Sequence, residues 1–159
     1  LVDERIKRCK YIAAGLSKFK GITPPTVYEY CKHVYYVQPF LYDEKIIGIP
    51  RNKFIEAVAC ELPHTRMRET VGKLIYPAGY SPIYLQGIYG DRTNISLPFN
   101  SPLYKGTVNY NKGLCPVAED LYFNTLFSNE YMWPSMKKED LDDVLGAFDK
   151  VYEHKKELI

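Results

Sequence analysis

The chain predicts a small domain of mixed architecture, α+β or an open α/β layer. Three observations carry this. In the last segment Leu141, Val144, Leu145, Phe148, Val151 and Tyr152 recur at helical spacing, with charges on the other face. The stretch Tyr28 to Tyr42 is rich in Val, Tyr and Phe, residues that suit a pleated, half-buried surface. Helical and strand patterns are mixed without regular β-α-β alternation, and no internal repeat is visible.

The elements follow in order. Residues 1 to about 20 read as a helix, with Leu1, Val2, Ile6, Cys9, Ala13, Leu16 and Phe19 on one side. Gly21 stops it, and Pro24-Pro25 prevents its resumption. Tyr28 to Tyr42 is the first strand, and Pro39 inside it argues for an edge or a bulge. Asp43-Glu44-Lys45 is a turn and Ile46 to Ile49 a short second strand. Pro50 to Glu61 is a helix that buries Phe54, Ile55, Val58 and Ala59, ended by Pro63. Residues 64–113 lack periodicity and are punctuated by Pro and Gly, yet keep Tyr76, Tyr80, Tyr84, Tyr89, Phe99, Tyr104 and Tyr110. A disordered segment would lose its aromatics, so this one reads as a functional loop or pocket wall, or else as a loop packed on the core.

From Gly113 the pattern sharpens. Pro116 suits a first helical turn, and Glu119 and Asp120 suit the positive end of that helix. Leu121, Tyr122, Phe123 and Leu126 give it an apolar side. Tyr131, Met132 and Trp133 form a brief extended run that Pro134 ends, and Ser135 is the expected N-cap of the final helix. The chain thus reads as one domain over 1–159: a connecting helix at 1–20, strands and a helix at 28–61, an aromatic-rich loop region at 64–113 and closing helices at 114–159.

Composition removes several classes. A net charge of +2 leaves no nucleic-acid footprint, and no apolar run is long enough to span a membrane. No signal-peptide pattern opens the chain. It begins at Leu1 directly in a helical pattern, which suggests a piece of a longer protein; a cleaved N-terminus is the alternative. Cys9, Cys31, Cys60 and Cys115 form no CxxC unit, so free thiols in a reducing cytoplasm are the simplest reading, with a disulfide pair unsupported. Cys115 precedes a helix start but lacks an evident base, and is expected to be buried and structural. His33, His64 and His154 lack ligand spacing and read as surface or core residues. Glu139-Asp140 and Asp142-Asp143 read as a solvated face, and Asn94-Ile95-Ser96 as a chance sequon. No phosphate-cradling glycine loop and no GxSxG elbow is present.

The words of the last third carry more than their periodicity. CPVAEDLYFNTLF, then Pro134, then KKEDLDDVLGAFDKVYEH, resembles the C-terminal end of sugar aminotransferases of the DegT family. Upstream, the first helix followed by GITPP, KHVYYVQPFLY, IGIPRNKFIEAVACE and GYSPIYLQGIY are similar, in order, to further segments of that family's small domain. The resemblance implies the small domain of a fold-type-I pyridoxal-phosphate (PLP) enzyme, an antiparallel-rich sheet packed with helices. The parent would move an amino group from glutamate or glutamine to a keto sugar or keto cyclitol, which could carry a nucleotide.

In that family the Schiff-base lysine, the carboxylate facing the pyridine nitrogen and the phosphate cup lie in a large N-terminal domain. Lys45, Lys73 and Lys112 match none of its motifs, so no catalytic or cofactor-binding residue is expected in this chain, and no metal. The implied partners are that N-terminal domain and a second subunit, and the implied setting is cytoplasmic. Exposed apolar surface is expected on the first helix or the aromatic loop, where such a domain would pack. Substrate contacts are expected from Tyr84 and Gln86, with Tyr80 beside them and Arg51 able to hold an anionic group. Tyr84 stands where many relatives carry His. If their segment is extended, Tyr84 and Gln86 share one face. Two other readings compete: a sugar dehydratase of the same family, and a stand-alone sugar-binding or interaction module.

Overall fold

A computed structural model describes residues 1–64, 72–90 and 98–159. Helix α1 is Val2–Leu16. Strand β1, Ile22–Thr23, and strand β2, Gln38–Tyr42, follow. The short helix α2, Glu44–Ile47, leads to α3, Arg51–Cys60. Strand β3 is Ile75–Pro77 and helix α4 is Gly87–Gly90. Helix α5, Pro116–Asp120, runs into a π-helical turn at Leu121–Thr125, and strand β4 is Leu126–Asn129. Helix α6, Lys138–Glu153, closes the fold. The four strands make one antiparallel sheet in the order β1-β2-β4-β3. The architecture is α+β, as the mixed pattern implies.

The core lies between one face of this sheet and α1, α3 and α6. Alternation along β2 aims Phe40 and Tyr42 inward, and Phe127 sits directly opposite Phe40 on β4. The two rings stack at 5.1 Å, and Phe148 of α6 lies 5.8 Å from Phe127 and 6.1 Å from Phe54 of α3. Each such ring, fully buried, contributes on the order of 2–3 kcal/mol of hydrophobic stabilisation. At the end of the ladder the inward pair is polar. Asn129 Nδ2 donates to Gln38 Oε1 at 2.9 Å, Gln38 Nε2 donates to the Cys9 carbonyl at 2.7 Å, and Tyr131 N–H donates to Asn129 Oδ1. Both amides are fully buried, and these bonds are what makes that burial tolerable. Helix α1 is docked on this core through Ile12 and Leu16, and at Gly15 it meets α6 so closely that a Cβ would run into Leu145.

Several expectations need correction. Only Gln38–Tyr42 of the predicted Tyr28–Tyr42 strand is a strand. Residues 28–37 are rich in strand-forming side chains but have no partner strand among the described residues, and Tyr35 takes a positive φ of 52°. Pro39 lies in an interior strand, not at an edge. Leu126 C=O and Glu130 N–H bond toward β3, so Phe127 and Asn129 face β2 and the ladder bonds fall on Phe40 and Gln38. Pro39 N therefore points toward β1, which reaches only Leu41 and Tyr42.

The predicted strand Ile46–Ile49 is the helical turn α2 instead. Asp43 caps it by accepting from Lys45 N–H at 2.9 Å, and Gly48 ends it with φ 85°. Leu126 belongs to β4, not to the preceding helix, and Tyr131 to Trp133 is not a strand. The N-cap of α6 is Lys137, whose N–H donates to Asp140 at 2.7 Å, and not Ser135. Cys115 is exposed; only Cys9 is buried, and all four thiols are free. The residues Asn94, Ile95 and Ser96 lie outside the described ones.

Candidate functional site

Tyr84 sits on a single 3-10 turn, Ile83–Leu85, that follows Pro82. Its hydroxyl donates to Glu119 Oε1, the same oxygen that accepts Gly113 N–H at 2.6 Å. The Cys115 N–H donates to the Tyr84 hydroxyl oxygen at 3.3 Å. Glu119 is 7% exposed, and its carboxyl is held below the ordinary range first by the Tyr84 bond and then by the backbone N–H groups of Gly113 and Cys115. Desolvation and the Glu119 bond push the Tyr84 phenol up to about 12. This cluster ties the segment 79–90 to the start of α5. The sequence reading gave Glu119 only a place in the helix dipole. The signal that could have found it is an acidic residue one turn inside a proline-started helix, where a solvated carboxylate has little reason to be buried.

The other end of the same helix is held by Arg51. Its guanidinium is 4% exposed. Nη1 donates to the carbonyls of Tyr122 and Leu126, Nη2 donates to Tyr122 at 3.0 Å and Phe123 at 2.7 Å, and Nε donates to Asn52 Oδ1 at 2.9 Å. These are the carbonyls that a π-helical turn and a strand start leave without intrahelical partners. Every N–H group of Arg51 is engaged, so none is left for an anionic substrate group, and Arg51 acts as a strut for the turn.

Gln86 and Tyr80 are exposed. Tyr80 and Tyr36 share a hydroxyl–hydroxyl bond of 2.8 Å, which links the segment to the tyrosine-rich loop between β1 and β2. Because the backbone at Tyr84 is a 3-10 turn, Tyr84 and Gln86 do not share a face in the manner of a strand. In that loop Tyr28 and Tyr30 stack at 5.5 Å, and both are exposed, as are Val34 and Tyr36. A separate open cleft of about 930 Å³ lies beside β1 and α2, lined by Thr23, Leu41, Asp43, Glu44, Asp120 and Asn124 among others, and none of Arg51, Tyr80, Tyr84 and Gln86 reaches it.

The residues of this chain do not by themselves fit a PLP site. A Schiff-base lysine works from a desolvated setting. Here every lysine is exposed except Lys155, which is half-buried with its Nζ 3.8 Å over the Tyr152 ring. Lys112 lies over the Phe123 ring at 4.2 Å, and Lys73 Nζ is 3.6 Å from Cys60 Sγ. Among the described residues no group of three or more His, Cys, Asp or Glu is placed to hold a metal, and no helix is long and apolar enough to cross a membrane.

Comparison with known proteins bears on this arrangement. No protein-family model matches the chain. An uncharacterised protein of Methanocaldococcus jannaschii is 26% identical over 132 residues, which is 83% of this chain and 27% of that protein. The crystal structure of the aminotransferase TlmJ from Streptoalloteichus hindustanus superposes with a TM-score of 0.60 at 16% identity, covering 98% of this chain and 32% of that one. The chain therefore shares the fold of part of an aminotransferase, and spans about a third or less of the length of either protein.

Proposed function

We propose that this chain is the small domain of a PLP-dependent aminotransferase that acts on keto sugars or keto cyclitols, with glutamate or glutamine as amino donor. The observation that carries the reading is the overlap of nearly the whole chain with about a third of an aminotransferase. Segments in family order along the chain support the sugar-acting branch. The cofactor, with its lysine and phosphate cup, would be held by polypeptide beyond these residues, and the parent would work as a dimer. PLP would there supply the electron sink for amino transfer. Within this chain the segment 79–90 faces the substrate. Tyr84 and Tyr80 offer flat apolar faces to a sugar ring, and the exposed Gln86 amide offers both a donor and an acceptor to neighbouring hydroxyls.

The test compares the 159-residue chain with the longer protein that contains it. The longer protein, given PLP, glutamate and a keto cyclitol, should form 2-oxoglutarate. The chain alone should neither turn over nor develop a borohydride-sensitive PLP absorbance. Such an absorbance in the isolated chain would overturn the reading, and loss of water from the sugar without amino transfer would move the parent to the dehydratase branch.

A further inference from the structure

Glu119 closes off Tyr84, a tyrosine of the segment 79–90. The phenol of Tyr84 has one proton to donate and two lone pairs to accept with. Its proton goes to Glu119 Oε1, and one lone pair takes the Cys115 N–H. One lone pair remains. A ligand that meets this oxygen must therefore bring its own proton.

We propose that Glu119 is a positioning residue that makes Tyr84 a hydrogen-bond acceptor only, so that the substrate group it meets is a donor, such as an uncharged sugar hydroxyl, and not a group without a proton, such as a carboxylate or a phosphate diester. The proposal rests on the substrate-side reading of Tyr84 given above and adds its polarity. Two further features agree with it. The carboxylate behind the phenol is buried and ionised, so an anion in front of Tyr84 meets a like charge across one hydrogen bond. The carboxylate is also fixed from behind by Gly113 N–H at 2.6 Å, so it cannot swing aside to release the phenol proton. The nearby titratable groups are Lys112, which favours the ionised Glu119, and Cys115.

The test uses the longer protein that contains this chain, labelled with 13Cζ-tyrosine, with the Tyr84 signal assigned by its loss in Tyr84→Phe. In the native sequence that signal should titrate with a midpoint of about 12. It should shift on addition of myo-inositol and stay in place on addition of sulfate, which has no proton to donate. Glu119→Gln keeps an acceptor oxygen for both bonds and removes the charge, so the midpoint should fall toward the ordinary 10.0 and the discrimination against sulfate should weaken. A merely structural Glu119 would leave that discrimination unchanged.

A native midpoint near 10.0, an unchanged midpoint in Glu119→Gln, or a sulfate response equal to that of myo-inositol overturns the proposal. If Glu119→Gln does not fold, the native titration and the two additions still decide it. A midpoint that falls as expected while neither compound moves the Tyr84 signal would sustain the positioning role and overturn the substrate-side reading on which the donor argument stands.

Discussion

Beneath the sheet, Phe40, Phe54, Phe127 and Phe148 meet ring against ring, drawn from two strands and two helices. At 82–86 and 113–126 the chain is fixed in another way. Glu119 holds one end of α5 and the Arg51 guanidinium holds the other, each through bonds to groups distant in sequence. The core distributes its stability over a large apolar area, and losing any one contact leaves the others in place. The wrapping stretch concentrates its order in two charged side chains. It can therefore loosen locally while the sheet remains, which is the behaviour expected of a substrate-facing segment.

The difference can be broken or sharpened by substitution. Phe127→Ala should cost about 3–5 kcal/mol and lower the urea midpoint of the whole chain, because the cavity opens under both central strands. If only residues 82–86 and 113–126 responded, the apolar core would not be the common support of the chain. Arg51→Ala should cost on the order of 3 kcal/mol, with amide exchange rising first at 121–126, since buried carbonyls lose a charged donor. Gly15→Ala adds a methyl against Leu145. Overpacking of about 1–3 kcal/mol, offset by about 1 kcal/mol of helix propensity, should leave a net loss near 1 kcal/mol in thermal unfolding.

Acid should act more on the wrapping stretch than on the core, because the other lowered carboxyls, Asp3, Glu4 and Asp142, sit in exposed pairs. The Glu119 carboxyl is lowered in the folded chain from 4.5, so its contribution is present above that value and lost as pH falls through the folded one. Below pH 4.5, amides at 84–89 and 113–119 should exchange faster while those of β2, β4 and α6 hold. Alkali should act on both regions. The Tyr84, Tyr42 and Cys9 groups are all raised, so their contributions are complete below their ordinary values and decline above pH 9–10. The smallest effect is expected at the exposed Lys150–Glu61 pair, where Lys150→Ala should cost under about 1 kcal/mol in urea unfolding.

These two regions were unequally legible in the sequence. The helix around Leu141, Val144 and Phe148 announces itself because one face is buried and the period survives. Phe54, Ile55 and Val58 do the same for α3. Strand β4 was hidden because Leu126, Phe127, Ser128 and Asn129 face protein on both sides, so no alternation shows. The strand-like stretch 28–37 misled for the opposite reason: its side chains suit a sheet, but among the described residues no strand pairs with it. At the candidate site the tyrosines were visible as types. The bonds that orient Tyr84 were not, because they run to a carboxylate 35 positions away whose burial depends on the fold. Arg51 reads in the sequence as a group for an anion, and only the π-helical turn across from it explains its interior place.

The strand order has a kinetic side. The centre of the sheet joins β2 to β4, and Gln38 and Asn129, bonded across that ladder, are 91 positions apart. A nascent chain carries β2, with its apolar Phe40 and Tyr42, long before its central neighbour has been made. Closing so large a loop costs entropy that only the finished ladder repays, so the sheet assembles late and comparatively slowly. Until then the edge of β2 that awaits β4 is bare, and on its other edge, which β1 covers only at Leu41 and Tyr42, Pro39 lacks an N–H and makes a poor template for a stray strand.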